Sequence, residues 1–431
     1  MFVCIFDELQ FKRNLMQKYD TIIVGGGAAG LMTAGHSAEL GQKVLVLERM
    51  SQVGRKLGIT GKGRCNITNT APLDEFIRLV EPNGRFLRSS FSNFFSDDLI
   101  EFFNRIGVKT VIERGGRVFP EGGKAVEVVR LMKKWCIDSG VEIRTSFRVK
   151  DLIIEDDSVI GIRGIEANNS KKLELYADKI IIATGGVTYP ATGSTGDGYE
   201  LAKSVGHKIN AVWPSLVPLE TEGTKAKQLN GLDLRNIKGT VWIDGKKAGE
   251  DFGEMSFTNF GITGPIVLTL SRLIVQAIRE KKDIIFSVDL KAALDDKKLD
   301  NRLLRDFNEK GNETYYKILT GLLPKVLIPV CIQDTKIDPN KVGHQITSVE
   351  RKELRKWLKN FNFKITGHRP FEEAIITVGG INTNEVNQKT MESKLKKGLY
   401  FAGEILDLDA PTGGFNLQIA FSTAWTAAMS Y

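Results

Sequence analysis

The sequence has few of the residues that build metal sites and disulfide frameworks. Only four cysteines and four histidines occur in 431 residues, and the cysteines stand far apart, without C-x-x-C or any other metal-ligand spacing. This scarcity argues against a disulfide scaffold and a zinc framework. It favours a cytoplasmic protein with reduced thiols and no bound metal.

Long hydrophobic runs are lacking as well. The most apolar stretches, Ile262–Val275 and Leu319–Ile332, are interrupted by charged residues or prolines and fall short of the roughly 18 apolar residues that a membrane span needs. Met1–Leu15 does not resemble a signal peptide, because its short apolar run is followed directly by two acidic residues. We expect no membrane partner, and we expect either that Met16 is the natural start or that residues 1–15 form a peripheral extension.

The charge balance is basic, with 60 Lys and Arg against 52 Asp and Glu and a net charge of +8. The lysines are distributed along the chain. The densest basic stretch, Arg351–Lys364, contains an apolar stripe that is typical of a helix with one solvated face. We therefore expect a small-molecule substrate rather than a nucleic-acid partner.

Glycine is abundant, with 43 residues, and one group of glycines organises the whole sequence. In Asp20–Gly30 an apolar, β-branched run predicts a buried parallel strand that leads into G-x-G-x-x-G, and Leu31–Leu40 then reads as a helix. Gly25 permits the tight turn, Gly27 lets the backbone approach phosphates, and Gly30 lets the helix pack closely on the strand. This order predicts a nucleotide pyrophosphate site at the helix N-terminus.

A second predicted strand, Lys43–Leu47, ends at an acid that lies about 20 residues after the glycines. This acid is Glu48. A carboxylate at such a position accepts hydrogen bonds from ribose hydroxyls and favours a ribose without a 2′-phosphate.

The loop Gly54–Asn69 is rich in glycine, cationic side chains and asparagine, and it has few large apolar groups. Its donors and flexible backbone suit the wrapping of a polyanionic ligand, although a plain solvent loop has the same composition. Within this loop Cys65 has no nearby partner cysteine, so we expect a small packed side chain rather than a redox thiol.

Three alternating runs, Val149–Ile154, Val159–Glu166 and Lys172–Tyr176, predict a small β-meander inserted into the nucleotide fold. Lys179–Gly186 then predicts a third buried strand that ends in small residues, where open α/β sheets place ligands. The following run Val187–Gly198 lacks the glycine order of a second dinucleotide fingerprint, so we expect no separate nicotinamide domain.

The pattern of predicted secondary structure changes after Gly198. Residues 199–370 mix predicted strands with helices rich in lysine and asparagine, and we interpret them as an inserted substrate or cap domain, β-rich with a helical part. Residues 371–431 return to apolar runs that end in glycine pairs, and a predicted helix, Phe415–Ala428, closes the chain. We expect residues 1–198 and 371–431 to form one nucleotide-binding domain that the insertion splits.

These stretches resemble the two-dinucleotide-binding-domain flavoproteins. More narrowly, they resemble the bacterial NAD(FAD)-utilising dehydrogenase-like flavoproteins called HI0933-like or BaiN-like. The resemblance implies an α/β fold class: a Rossmann-like FAD-binding fold with a β-meander, split by an inserted β-rich plus helical domain, with FAD held non-covalently. The matching segments are Ile23–Gly30, Gly54–Asn69, Gly116–Pro120, Ala183–Gly198, Phe257–Pro265, Glu373–Gly380 and Thr390–Ala420.

The same resemblance implies individual contacts with FAD, from the phosphates through the adenosine to the flavin ring. They are Gly25, Gly27, Ala29 and Gly30 at the pyrophosphate; Glu48 at the adenosine ribose; Arg49 and Lys56 near the adenosine and phosphates; Gly61, Arg64, Cys65 and Asn66 on the flavin side; the Val149 backbone at adenine; Ala183, Thr184 and Gly185 beneath the nucleotide; Gly403 and Glu404 at the ribitol; and Gly414, Asn416 and Leu417 at the ring. Related flavoproteins often have an aspartate where Glu404 stands, so this position departs from the pattern.

The activity implied is that of an FAD-dependent oxidoreductase, in which flavin N5 passes a hydride between NAD(P)H and a small organic substrate. Tyr189, in the polar loop after a sheet strand, is the candidate proton donor or substrate-orienting group, with aromatic packing as the alternative role. Three other functions stay open: an O2-using flavin oxidase of small amines or aminoketones, an RNA-binding or tRNA-modifying flavoprotein, and a non-catalytic FAD-binding module. The substrate and the oligomeric state are not indicated.

Overall fold

A computed structural model describes residues 18–168 and 170–430 of the chain. The expectations for residues 1–15 and for a start at Met16 lie outside the described residues. The chain divides into two compact units. The first joins the residues up to Trp213 to those from Ile375 onwards, and the second spans Pro214–Ala374.

The α-helices of the described residues alternate with strands in the first half of the chain and cluster in the second unit. They are α1 (Ala28–Glu39), α2 (Arg55–Ile59), α3 (Leu73–Leu79), α4 (Arg88–Asn93), α5 (Ser96–Arg105), α6 (Ala125–Asp138), α7 (Asp197–Ser204), α8 (Lys225–Gln228), α9 (Pro265–Arg279), α10 (Asp296–Glu309), α11 (Tyr315–Leu319), α12 (Leu327–Thr335), α13 (Ser348–Lys359) and α14 (Phe415–Met429). Short 3-10 turns lie at Gly84–Leu87, Pro190–Thr192, Gly343–Gln345 and Thr383–Glu385.

The strands of the described residues form four sheets. They are β1 (Lys18–Val24), β2 (Val44–Leu47), β3 (Thr68–Asn69), β4 (Thr110–Glu113), β5 (Arg117–Pro120), β6 (Glu142–Arg144), β7 (Phe147–Glu155), β8 (Ser158–Glu166), β9 (Lys172–Ile182), β10 (Ile209–Ser215), β11 (Leu219–Thr221), β12 (Asp233–Ile243), β13 (Lys246–Phe257), β14 (Gly261–Thr263), β15 (Ile284–Asp289), β16 (Phe361–His368), β17 (Ile376–Ile381) and β18 (Leu399–Phe401).

A seven-stranded sheet forms the centre of the first unit. Its order is β6-β2-β1-β9-β8-β7, with β18 beside β9. The pairs β1–β2, β1–β9, β2–β6 and β9–β18 are parallel, so the carboxyl ends of these strands meet at one edge. Ile22, Val46 and Ile181 are completely buried, as expected for parallel strands that are covered on both faces. The predicted fold class, a Rossmann-like α/β fold, is confirmed.

The strand β9 differs from the prediction of two separate strands at 172–176 and 179–186. It runs unbroken over Lys172–Ile182, because no glycine or proline interrupts the chain between the two apolar runs. Its first half pairs antiparallel with β8, and its last three residues lie between β1 and β18. The meander is therefore part of the central sheet and not a small sheet of its own.

Helices α1 and α14 lie against this sheet and share an aromatic stack. The imidazole of His36 stacks on the indole of Trp425 with 3.4 Å between ring centroids, and Trp425 stacks in turn on Phe94 at 4.1 Å. Close packing continues at Gly35, where a Cβ would lie 2.3 Å from the ring of Trp135. The stack of His36 on Trp425 joins the first and last helices of the unit, and Gly35 packs α1 against α6.

The second unit contains a closed six-stranded barrel of order β11-β14-β13-β12-β15-β16. Antiparallel pairing of β11 with β16 closes it, through partners such as Leu219 and His368. Val241, Met255 and Phe286 are fully buried, and the helices α8 to α13 complete the core. This unit matches the predicted mixture of strands and helices.

In the part of the chain that the structure describes, none of the helices combines the length and apolar character needed to cross a membrane. Within the same residues, no three His, Cys, Asp or Glu side chains converge as ligands of a metal ion do.

Candidate functional site

The glycine-rich turn between β1 and α1 is shaped by two close backbone approaches. Gly25 has a φ of +104°, and a Cβ there would lie 2.6 Å from the carbonyl oxygen of Ala183. A Cβ on Gly30 would lie 1.8 Å from the carbonyl oxygen of Gly25. Both positions require glycine, because any larger residue would push the turn away from β9 or the helix away from the turn.

Gly27 requires a different explanation, because a Cβ there would meet nothing within 4 Å. It is the N-cap of α1 in an extended conformation, with φ −79° and ψ −164°, and no side chain caps the helix. The first N–H groups of a helix have no acceptor within the helix, so they remain available to an anion in this open space. The geometry suits a pyrophosphate.

Glu48 lies at the end of β2 with its carboxylate beside this turn. Its Oε2 accepts a hydrogen bond of 2.8 Å from the backbone N–H of Gly26, and its Oε1 accepts one of 2.8 Å from that of Met50. Burial raises the pKa of Glu48 despite these two hydrogen bonds. Each oxygen keeps a lone pair, so ribose hydroxyls would relieve the desolvation of the carboxylate.

Arg49 is tied to the loop that precedes α7. Its Nη1 donates to the hydroxyl of Thr195 and lies 3.3 Å from Oδ2 of Asp197. Arg148 donates two hydrogen bonds of 2.8 and 2.9 Å to the same carboxylate. Although burial opposes the effect, the two guanidiniums hold the pKa of Asp197 below its ordinary value. Val149, next to Arg148, is buried in the sheet, where β7 pairs with β8.

Ala183, Thr184 and Gly185 follow β9 directly and lie at the carboxyl edge of the sheet. The hydroxyl of Thr184 is buried and has no hydrogen-bond partner among the residues that the structure describes. Gly185 has a φ of +72°, and a Cβ there would lie 3.1 Å from the hydroxyl of Ser194 and 3.7 Å from Oε2 of Glu404. The end of β9, the loop after it and Glu404 thus meet where open α/β sheets bind ligands.

Lys56 and Glu404 form an ion pair that sequence reasoning did not find. The ammonium of Lys56 donates hydrogen bonds of 2.6 Å to Glu404 Oε2 and 2.7 Å to the hydroxyl of Thr188. Glu404 Oε1 accepts a hydrogen bond of 2.9 Å from the backbone N–H of Thr377. The side chains of the pair are only 24% and 22% exposed. The glutamate is therefore occupied by protein donors, and the lysine is the member of the pair with donor capacity left for a ligand.

Two threonines of this cluster, Thr188 and Thr377, were also missed. Thr188 follows a pair of glycines at the end of β9, and this was its only local signal. Thr377 lies in β17 within an apolar run that predicts nothing but a buried strand. Contacts between segments that are so distant along the chain produce no periodicity or motif in the sequence, so they could not be predicted from it.

Tyr189 has an uncommon backbone conformation. Its φ is +52° and its ψ is +56°, in the left-handed region that non-glycine residues seldom adopt. Its carbonyl oxygen accepts hydrogen bonds from the backbone N–H and the hydroxyl of Thr192, at 2.8 and 2.7 Å. A strained residue held by a local turn at the edge of a candidate site is a candidate for function.

The loop after α2 is built largely from left-handed residues. Gly61, Lys62, Gly63 and Cys65 all have φ between +57° and +84°. The thiol of Cys65 is completely buried, and burial raises its pKa to about 12. Such a thiol is protonated at neutral pH and acts as a small packed group.

The neighbours of Cys65 point in different directions. Arg64 makes an ion pair of 2.5 Å with Glu113 and lies over the ring of Phe119, 4.3 Å from its centroid. The amide oxygen of Asn66 is buried and has no hydrogen-bond partner within residues 18–168 and 170–430. A buried amide oxygen without a donor costs about 1–3 kcal/mol, so a ligand N–H or O–H is the natural partner at this position.

The N-terminus of α14 approaches the same region. Gly414 is its N-cap with φ +99°, no side chain caps the helix, and a Cβ there would lie 2.2 Å from the carbonyl oxygen of Thr68. The amide of Asn69 donates hydrogen bonds of 3.0 Å to the carbonyl oxygens of Gly115 and Gly413. Asn69, which the sequence did not single out, therefore ties three loops together.

The other predicted residues of the last segment are held by the protein itself. The amide of Asn416 exchanges hydrogen bonds of 2.7 and 2.9 Å with the backbone of Ala410, and Leu417 packs against the core. Gly403, with φ +81°, donates its N–H to the hydroxyl of Thr423, and a Cβ there would lie 2.8 Å from that of Ala29. Close packing of α1 on α14 therefore explains Ala29 and Gly403.

The residues present fit FAD. The open space at Gly27 suits a pyrophosphate, the desolvated carboxylate of Glu48 suits ribose hydroxyls, and the unpaired oxygens of Thr184 and Asn66 need donors that a dinucleotide can supply.

Comparison with known proteins agrees with this geometry. The family described as HI0933-like protein Rossmann domain matches residues 19–430. The chain belongs to this family.

Two curated relatives match the chain over almost its whole length. The 3-dehydro-bile acid delta(4,6)-reductase of Clostridium scindens is 31% identical over 407 residues, which cover 94% of this chain and 97% of the relative. The ribosomal RNA dihydrouridine synthase of Haemophilus influenzae is 29% identical over 419 residues, which cover 96% and 99%.

A solved structure supports the fold. The 3-ketosteroid delta1-dehydrogenase from Sterolibacterium denitrificans, in complex with 1,4-androstadiene-3,17-dione, aligns with a TM-score of 0.51 at 14% identity, over 95% of this chain and 98% of that one. At this identity the likeness concerns the fold alone. The family and the relatives that match almost the whole chain together identify the protein as an FAD-dependent oxidoreductase, which confirms the prediction from the sequence.

Proposed function

We propose that this enzyme is a reductase that uses FAD to pass a hydride from NAD(P)H to a carbon–carbon double bond conjugated with a carbonyl group. The observation that carries the proposal is the chemistry shared by the names of two nearly full-length relatives. One reduces delta(4,6) double bonds of a 3-dehydro bile acid. The other forms dihydrouridine, which is uridine with its 5,6 double bond saturated beside the 4-carbonyl. In both cases a double bond conjugated with a carbonyl group is saturated, and for this chain we propose that a hydride and a proton are added to such a bond.

The chain's own residues would bind and orient the cofactor in this proposal. When bound, FAD supplies the hydride chemistry. The turn from Gly25 to Gly30 would hold the pyrophosphate, Glu48 the adenosine ribose, and Asn66 a polar group of the ring. The uncapped N-terminus of α14 at Gly414 would place N–H groups and the positive end of the helix dipole towards the flavin.

Proton delivery to the substrate is proposed for Tyr189, and hydrogen-bond donation to the cofactor for Lys56. The phenol of Tyr189 is a donor of suitable type, and its backbone is held in one conformation by Thr192. Lys56 is fixed by Glu404 and Thr188, so its ammonium keeps one orientation.

Since no second dinucleotide fingerprint occurs in the sequence, we propose that NAD(P)H enters and leaves the flavin site in turn with the substrate. The buried free thiols of Cys65, Cys136 and Cys331 support a reducing, cytoplasmic location. The inserted region, predicted over 199–370, would contribute to substrate recognition.

A second candidate substrate is a uridine within RNA. It is favoured by the full-length likeness to a ribosomal RNA dihydrouridine synthase and by the net charge of +8. The chemistry at the flavin would be the same, and only the carrier of the double bond would differ.

The test is an anaerobic reaction followed by the yellow absorbance of the purified protein. NADH or NADPH should bleach the flavin, and a conjugated 3-oxo steroid or a uridine-containing RNA should restore the colour and gain two hydrogens. Fast return of colour in air with release of peroxide, and none with conjugated substrates, would support the oxidase alternative and overturn the proposal. Bleaching by dithionite but by neither nicotinamide would overturn the NAD(P)H linkage.

A further inference from the structure

We propose that Arg55 and Arg148 are positioning residues for FAD binding, because they hold residues 187–197 closed over the adenosine half of the cofactor. These residues lead from the glycine pair after β9 to Asp197, the first residue of α7, and we refer to them as the strap. The inference rests on the proposed placement of the adenosine ribose at Glu48. It adds that the strap opens when FAD enters or leaves.

The strap lies against the carboxylate of Glu48. A Cβ on Gly193 would lie 3.5 Å from Oε1 of Glu48 and 3.0 Å from Cγ of Met50. The other oxygen of the carboxylate accepts its hydrogen bond from Gly26, in the glycine-rich turn. Only 9% of Glu48 is exposed. A ribose can therefore hydrogen-bond to this carboxylate only if a neighbouring segment moves aside.

The strap is the neighbouring segment with little support from the hydrophobic core. Of its eleven residues only Thr188 and Ser194 are buried, and both are polar, while Val187 is partly buried against the core. A segment with few buried apolar contacts opens at a low cost in free energy. Gly185, with φ +72°, precedes the strap, and Gly196, with φ +82°, lies near its end. Glycines at both ends can take up the change in backbone angles that opening requires.

Two arginines outside the predicted FAD contacts anchor the strap. Arg148 donates hydrogen bonds of 2.8 and 2.9 Å to the carboxylate of Asp197, at the end of the strap. Asp197 also accepts one of 3.1 Å from the hydroxyl of Thr195. Arg55 donates a hydrogen bond of 3.2 Å to the carbonyl oxygen of Ala191, in the middle of the strap. Polar anchors of this kind therefore hold the strap closed where apolar packing does not.

The anchors belong to the same elements as the proposed FAD contacts. Arg148 precedes Val149 in β7, whose backbone is expected at adenine, and Arg55 precedes Lys56 in α2. The ammonium of Lys56 donates a hydrogen bond of 2.7 Å to the hydroxyl of Thr188, near the start of the strap. A ligand favours the conformation with which it makes more contacts, so bound FAD and the closed strap stabilise each other. The anchors then set how fast FAD is released.

The experiment compares FAD release by three holoenzymes: the natural chain, an anchor variant and a control variant of equal charge. The anchor variant carries Arg55→Met and Arg148→Met, which keep long side chains but remove the donors. The control carries Arg130→Met and Arg163→Met, which are exposed on α6 and β8 and have their carboxylate partners outside the strap. Release is measured as exchange of bound FAD for an excess of isotope-labelled FAD, by mass spectrometry after rapid desalting.

We expect the anchor variant to exchange FAD at least about 5-fold faster than the natural chain, and the control to stay within about 2-fold, because only the anchor variant loses hydrogen bonds to the strap. Backbone amides of the strap should exchange hydrogen for deuterium faster in the anchor variant, while those of β9 keep the rate of the natural chain. Arg55→Lys keeps a donor for the carbonyl oxygen of Ala191 and should release FAD more slowly than Arg55→Met.

Equal rates of FAD exchange in the three proteins would overturn the proposal. So would equal acceleration in the anchor variant and the control, which would make charge alone the cause. Faster deuterium exchange in β9 as well as in the strap would also overturn it, because the arginines would then support the fold in general.

FAD affinity of Glu48→Gln is measured in parallel to test the ribose placement by itself. Unchanged affinity of this variant, together with fast FAD exchange in the anchor variant, would overturn the ribose placement alone. Weaker affinity, together with equal FAD exchange in all three proteins, would overturn the strap alone. No nicotinamide is present in either measurement, so the result does not depend on the reductase proposal.

Discussion

The ammonium of Lys56 donates a 2.6 Å hydrogen bond to the carboxylate of Glu404, which lies 348 residues further along the chain. We expect Lys56→Met to cost about 1–2 kcal/mol of stability, because it leaves a largely buried carboxylate without its cation. Glu404→Gln should cost less, since the amide oxygen can still accept from Lys56. The measurement is the melting temperature of the yellow protein, with the double variant completing a cycle. An unchanged melting temperature for Lys56→Met would contradict a structural role of the pair.

Gly27→Val should give a folded but colourless protein. The conformation of Gly27 suits any residue, and its Cβ would enter open space, so folding is not expected to suffer. The side chain would instead occupy the region assigned to the pyrophosphate. The readout is flavin absorbance per protein after purification, together with the circular dichroism spectrum.

Gly122→Val is the matched control for this experiment, because a Cβ at Gly122 also meets nothing within 4 Å and the residue lies outside the site. It should stay as yellow as the natural chain. A fully yellow Gly27→Val protein would show that the pyrophosphate lies elsewhere.

Cys65→Ala should keep FAD and at least about half of the activity, because the thiol is buried and its raised pKa keeps it protonated. In the native protein Cys65 should also resist alkylation until the fold is opened by denaturant, which peptide mass spectrometry can follow. A loss of activity of more than about 100-fold with the flavin still bound would assign the thiol to the chemistry instead.

We expect the folded protein to lose stability in mild acid because of His36. Burial against Trp425 lowers the pKa of His36 from 6.5 to about 4, although Glu39 nearby opposes the shift. Above pH 6.5 the imidazole is neutral in both the folded and the unfolded chain. As the pH falls from 6.5 towards 4, the unfolded chain takes up the proton first, so stability is lost across this window, by up to about 3 kcal/mol.

His36→Phe would keep a ring on Trp425 and remove the titration. Melting temperatures between pH 7 and pH 4 should therefore fall less steeply for this variant than for the natural chain. Parallel curves for the two proteins would rule out His36 as the source of the acid sensitivity.

Local patterns were sufficient to predict the strand, the glycine turn and the acid at which nucleotide binding is proposed. The strand ending at Val24, the glycines after it and the acid at Glu48 lie within 30 residues, and periodicity and spacing define each of them. The unbroken course of β9 was harder to predict, because the absence of a turn signal is weak information.

Long-range pairings were beyond sequence reasoning. Closure of the barrel depends on β11 meeting β16, and the Lys56–Glu404 pair joins opposite ends of the first unit. The residues around these two contacts show no motif or periodicity that would predict them. Each contact is formed by the packing of segments that are distant along the chain. The contacts of Asn69 and Thr377 are also formed between segments that are distant along the chain, so the sequence did not predict them.

The arrangement of β9 and β18 has a consequence for synthesis on the ribosome. The last residues of β9 pair on one side with β1, but the other side receives Leu399–Phe401, and α14 follows even later. While the residues between β9 and β18 are being translated, the last residues of β9 have no strand on the side that β18 later occupies. The nascent sheet therefore exposes unpaired backbone groups there. FAD should therefore be captured only after Leu399–Phe401 and α14 have been added to the fold, and a ribosome-stalled chain that ends before Leu399 should remain without flavin.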